Sequence, residues 1–269
     1  MKNILLLAHD DSGQEARLRV ALDVTRALGG HLTCLDVIIV PELMTDYMSM
    51  GGGALLLADK ERSEQRNRVR IRERLERVDV PFDWIEMTGD VTDCIRTAAP
   101  LTDLVVVNRA LDTARFPNTL ELAGKLIVEE KLPVLAVPER ATGLKVDGRA
   151  LIAWDGSVSA EAALRAAVPL LALASAVTLF YVDDGSIRIP VEDAARYLSR
   201  YGIEPLVRRE KVLMDRPGTV LLAEVTNDRA DYVVMGGFSR ARAIEEMFGG
   251  ATQRMLTESP VPVLLAHRR

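Results

Sequence analysis

The chain is written twice. Ile4-Leu5-Leu6-Leu7-Ala8-His9-Asp10-Asp11-Ser12 returns as Ala150-Leu151-Ile152-Ala153-Trp154-Asp155-Gly156-Ser157, with Asp10 and Asp155 offset by 145 residues. Thr102-Asp103-Leu104-Val105-Val106-Val107-Asn108 returns as Ala230-Asp231-Tyr232-Val233-Val234-Met235-Gly236, with Asp103 and Asp231 offset by 128. Leu132-Pro133-Val134-Leu135-Ala136-Val137 and Val261-Pro262-Val263-Leu264-Leu265-Ala266 close the two copies alike. Three landmarks in one order indicate a tandem duplication. The fall in offset means that the first copy carries about seventeen extra residues between the first two landmarks. They fall around Pro41 to Lys60, a stretch that holds Met44, Met48, Met50 and Gly51-Gly52-Gly53. Pro138 to Gly148 reads as the linker, with a split near residue 143 and units at 1–140 and 147–269. A chain of 269 residues suits two such domains better than one core.

Each copy alternates short apolar strands with helical patterns. In the second, strands are expected near 149–154, 176–182, 205–212, 231–236 and 262–267, with the clearest helix over Ala160 to Leu173. Asp231-Tyr232-Val233-Val234-Met235 is apolar throughout, as a strand covered on both faces requires. The expected fold is therefore α/β: two tandem, doubly wound, mostly parallel five-stranded sheets with flanking helices. Val134 to Val137 and Val263 to Ala266 are expected to pair as edge strands in an intramolecular pseudo-dimer, because each would otherwise expose an apolar edge. In such sheets ligands bind outside the carboxyl ends of the strands, at the topological switch point.

Charge and composition exclude several classes. Thirty-four basic against thirty-nine acidic residues give a net charge of −5, which argues against nucleic acid as a partner. Cys34 and Cys94 are too few for a disulfide framework or a thiolate metal site, and read as structural. The apolar start meets His9-Asp10-Asp11 too soon for a signal peptide, and no stretch is long enough to span a membrane, so a cytoplasmic protein is expected. Gly124-Lys125-Leu126 fails a phosphate-binding P-loop at the hydroxyl, and Gly156-Ser157-Val158-Ser159-Ala160 lacks the last glycine of a nucleophile elbow. His9, His31 and His267 have no partner at metal-ligand spacing. Lys60 to Arg77, with seven arginines and four glutamates, reads first as a solvated helix face, and second as a surface for an anionic partner.

The second copy concentrates chemistry at its strand ends. Asp155 follows the first strand, where a carboxylate accepts hydrogen bonds from a hydroxyl or amino group, or else caps a helix. Met235-Gly236-Gly237-Phe238-Ser239-Arg240 follows the fourth strand, and Gly249-Gly250-Ala251-Thr252 follows a helical stretch. Glycines beside a helix N-terminus let backbone N–H groups reach a phosphate.

With Val182 ending the second strand, these residues resemble the universal stress protein family. Its signature is Gly, two residues, Gly, nine residues, Gly, then Ser or Thr, and the spacing from Gly236 through Ser239 to Gly249-Gly250 matches it. The resemblance covers the whole chain twice and implies an adenine-nucleotide alpha-hydrolase-like fold. It implies a stress-response regulatory protein that binds ATP or AMP in the second domain, with Mg²⁺ accompanying a triphosphate. The implied site is Asp155 and Val182 at the adenosine end, Met235, and Gly236, Gly249, Gly250 and Ala251 at the phosphates, with Ser239 lending its hydroxyl. No catalytic residues are implied, and at most slow ATP hydrolysis. Two departures stand out: Ser239 replaces the second glycine, and Gly250 replaces the Ser or Thr. In the first copy Asn108-Arg109-Ala110-Leu111 replaces the glycine loop and Leu120-Glu121 the later glycine, so that copy is expected to lack the triphosphate site. The alternative is a non-nucleotide-binding protein-interaction scaffold of the same family, with a protein partner the sequence does not name and homodimerisation left open.

Overall fold

A computed structural model describes residues 1–39, 53–109, 119–183, 189–211, 217–237 and 250–268. The first half runs β1 (Asn3–Leu7), α1 (Gln14–Leu28), β2 (His31–Ile39), α2 (Gly53–Leu75), β3 (Phe82–Gly89), α3 (Val91–Ala98), β4 (Leu104–Asn108), α4 (Thr119–Val128) and β5 (Val134–Val137). The second runs β6 (Arg149–Trp154), α5 (Val158–Leu171), β7 (Ala176–Asp183), α6 (Val191–Ser199), β8 (Leu206–Lys211), α7 (Pro217–Asn227), β9 (Tyr232–Gly236), α8 (Ala251–Glu258) and β10 (Val263–Ala266).

The ten strands among the described residues belong to one sheet, in the order β3-β2-β1-β4-β5-β10-β9-β6-β7-β8. Each half has the same doubly wound order and parallel pairing throughout. The two expected five-stranded sheets are joined by the expected edge pairing. β5 and β10 meet antiparallel, with Leu135 opposite Leu264, and this pairing fuses the two sheets. Fusion removes two apolar edges from water at once.

Helices cover both faces. One core layer packs α1, α2, α5 and α6 against residues such as Ile4, Leu6, Ile152 and Val234. The other packs α3, α4, α7 and α8 against Leu5, Val105, Val233 and Leu265. Both layers run through both halves. The expected linker is packed too: Leu144 and Val146 are buried, and the Leu144 N–H donates to Asp23 at 2.9 Å.

The repeat extends to single residues. Leu101 and Arg229, 128 apart, both adopt left-handed backbone just after their helices, at φ 66° and 51°. Asp103 accepts from the N–H groups of Lys2 and Asn3, and Asp231 from that of Arg149, so each carboxylate pins the start of its half's first strand. The surplus of the first copy lies partly in α2, which has 23 residues where α6 has 9. Met44, Met48, Met50, Gly51 and Gly52 lie outside the described residues.

Candidate functional site

In the second half, β6 is followed by strands on one side, β7 and β8, and the chain then returns to β9 on the other. The switch point therefore lies between the carboxyl ends of β6 and β9. Three residues turn the chain from β6 into α5, and Gly156 stands at φ 68°, a conformation that favours glycine. Ser157 is the helix cap: its Oγ accepts from the Ala160 N–H at 3.1 Å. Asp155 is therefore not the cap. Its Oδ1 accepts from the Ser157 N–H at 3.0 Å, the residue is exposed, and no other partner occurs among the described residues.

The remaining sequence candidates divide. Val182 lies in β7 one residue beyond the Trp154–Tyr181 pair, at the level of Asp155, and β7 continues to Asp183. Met235 pairs with Ala153 and Leu265 and is buried in the second core layer, so its side chain packs the interior. Gly236 ends β9 beside the first turn of α5; a Cβ there would stand 2.5 Å from the Ala160 nitrogen. Its lack of a side chain thus serves helix–strand packing. Gly250 is the N-cap of α8, at φ −89° with no side-chain cap, and a Cβ there would meet open space. Ala251 opens α8, which links the parallel strands β9 and β10 and so points its N-terminus toward their carboxyl ends. Ser239 and Gly249 lie outside the described residues. The structure thus brings Asp155, Val182 and Gly236 to the ends of three adjacent strands, with the α8 N-terminus on the same edge of the sheet.

The equivalent crevice of the first half is filled. Arg17, fully buried on α1, spans the ends of β1 and β4. Its Nε donates to the Leu7 carbonyl at 2.6 Å, Nη2 to the His9 carbonyl at 2.9 Å, and Nη1 to Asp11 at 3.0 Å and to Asn108 Oδ1. Burial pushes the guanidinium pKa down, and the Asp11 carboxylate pushes it back up. Asn108 stands where the second half has Gly236, and Arg17 stands where, by the first offset, it has Ala162. Asp10 is engaged as well: Arg70 donates to Oδ1 at 3.1 Å and Ser63 to Oδ2 at 3.4 Å, both from α2. Sequence reasoning found the loss of glycine at Asn108 but missed Arg17, the residue that takes the space.

The basic helix α2 is only partly a solvated face. Arg68 pairs with Asp36 and Glu86, Arg70 with Asp10 and Arg74 with Glu15, so its inner arginines neutralise carboxylates of the first half. His9 is buried with Nδ1 2.9 Å from Glu64 on α2. Burial and the nearby Glu64 push the Asp36 carboxyl up to about 6. His267 Nδ1 lies 2.9 Å from both the Gly237 carbonyl and Ser159 Oγ. A carbonyl only accepts, so Nδ1 carries its proton and is not a base toward Ser159. Cys34 and Cys94 are buried, and burial pushes the Cys34 thiol up to about 12, which keeps it inert. Among the described residues no group of three His, Cys, Asp or Glu side chains is placed to hold a metal ion, and no helix is long and apolar enough to cross a membrane.

The chain is thus a doubly wound α/β fold whose first switch point is filled by Arg17 and whose second is bordered by Asp155 and Gly236, the place where such folds bind ligands. Residues 148–267 match the model of the universal stress protein family. The whole chain is similar in fold to a universal stress protein from Archaeoglobus fulgidus, at 19% identity and a TM-score of 0.73, covering 99% of this chain and 98% of that one. A putative universal stress protein from Pseudomonas aeruginosa covers 99% of this chain and 93% of its own, at 14% identity and a TM-score of 0.60. A family protein from Arabidopsis thaliana, solved with AMP bound, covers 45% of this chain and 92% of its own, at 13% identity and a TM-score of 0.30. No curated protein matches the chain.

Proposed function

We propose that this is a stress-response regulatory protein of two domains, 1–140 and 147–269, that binds one adenine nucleotide in the second. One observation carries the asymmetry. The first switch point is occupied by the Arg17 guanidinium, locked to Asp11 and Asn108, whereas Gly236 ends the matching strand of the second half. Asp155 offers a free carboxylate oxygen to a ribose or base, and Val182 a backbone edge at the same level. The N-terminus of α8, which starts at Ala251 with no side-chain cap, offers a partial positive charge to the phosphates, worth about 0.3–2 kcal/mol per interaction. Gly249 and Ser239 complete the phosphate site on the strength of the sequence spacing alone. Any magnesium rides on the phosphates of a triphosphate, without a protein ligand.

Gly250→Asp tests this without disturbing the fold, because its φ is ordinary, its Cβ has room and aspartate caps helices well. The added charge opposes a phosphate, so AMP and ATP affinity by calorimetry should fall at least about tenfold, at unchanged or slightly raised stability. Asp10→Ala, at the position in the first domain that matches Asp155, should leave affinity unaltered. Equal losses from both would refute the asymmetry. No binding of either nucleotide at millimolar concentration would instead favour the scaffold reading.

A further inference from the structure

A groove of about 340 Å³ opens between α5 and α6, beside Trp154, the last residue of β6. Trp154, Leu164 and Ala194 form an apolar floor, and Arg165, Arg196 and Arg200 stand at its rim. The Trp154 Nε1–H already donates to the Ile189 carbonyl at 3.1 Å, so the indole offers an occupant only apolar surface. Arg165 donates through Nε to Glu161 at 2.8 Å and lies over the Tyr197 ring, 4.7 Å from its centroid. Arg196 donates through Nη1 to Asp193 at 2.8 Å. The Arg200 guanidinium has no partner among the described residues.

Three cations thus face two carboxylates around an apolar floor. The two ion pairs are intrahelical and at least partly exposed, so they yield readily to a better-placed anion. A guanidinium matches the planar, two-oxygen end of a carboxylate or sulfonate, and an aromatic-lined floor suits a flat ring. We propose that this groove binds a flat organic anion, with its ring on the Trp154–Leu164 floor and its acidic group on Arg200 and Arg196. The groove shares none of the residues assigned above to the nucleotide.

The probe is 8-anilinonaphthalene-1-sulfonate, titrated into the full chain carrying Trp84→Phe, which leaves Trp154 as the one tryptophan. Energy transfer from Trp154 reports occupancy of the groove. N-phenyl-1-naphthylamine has the same rings without the sulfonate and serves as the neutral control. The expected result is saturation near one dye per chain, with at least about tenfold preference for the anion. Arg200→Ala should lower affinity about tenfold and Arg196→Ala/Arg200→Ala further, both with unchanged circular dichroism because the side chains are exposed. Equal binding of the two dyes, or full retention in the double variant, would overturn the proposal. Displacement of the dye by ATP would also overturn it, by placing the nucleotide in the groove. Dye binding in a chain that binds no nucleotide would leave the groove standing and fail the nucleotide reading alone.

Discussion

Arg17→Met is the sharpest probe of how the first domain is closed. Arg17 is 0% exposed and donates to two backbone carbonyls, one carboxylate and one amide oxygen. Methionine keeps much of the volume but no donor, so the cavity contribution is small. The Asp11 side chain, 1% exposed, would keep the Gly13 N–H at 2.9 Å and lose its counter-charge. Removing one partner from a buried pair costs about 3–5 kcal/mol, because the other charge is left in the interior. For a chain of this size about 4 kcal/mol corresponds to a fall of roughly 8 °C in Tm. Urea unfolding and thermal melts measure both. Adding Asp11→Asn removes the stranded charge and should restore about half of the loss. A cost below about 1 kcal/mol, or no recovery in the double variant, would refute the claim that this guanidinium closes the crevice.

Three further outcomes follow from the same geometry. Asp36 is ordinarily ionised above about pH 4 in an unfolded chain, but in the fold it holds its proton up to about 6. The folded state therefore loses stability as pH rises from about 4 to about 6, and Asp36→Asn should flatten that slope in pH-dependent urea titrations. Leu101 is 90% exposed in left-handed backbone, so Leu101→Gly should raise stability by up to about 1 kcal/mol, with Arg229→Gly behaving alike. Gly236→Ala would press a methyl group 2.5 Å from the Ala160 nitrogen and should cost about 1–3 kcal/mol in the same melts.

Much of this fold was legible because a repeat doubles every signal. Asp103 and Asp231 stood out as matched positions before their shared task of pinning a strand start was visible. The two closing strands announced their need of a partner through unbroken apolar runs, although that pairing also turned two sheets into one. Arg17 was illegible for a physical reason. Besides Asp11, its acceptors are the backbone carbonyls of Leu7 and His9, which carry no side-chain signature, and Asn108, which reads only as a lost glycine. The arginines of α2 likewise looked solvated because the carboxylates they meet lie as much as 60 residues away in sequence. Asp155 and Ser157 shared one turn signal, and only the geometry separated the cap from the free carboxylate.

The central claim is that one adenine nucleotide binds per chain, in the second domain. Isothermal titration of the full chain with AMP and with ATP, alongside Gly250→Asp, tests it most directly. One site per chain is expected, weakened at least about tenfold in the variant. Two sites per chain, none, or a single site indifferent to Gly250→Asp would contradict it.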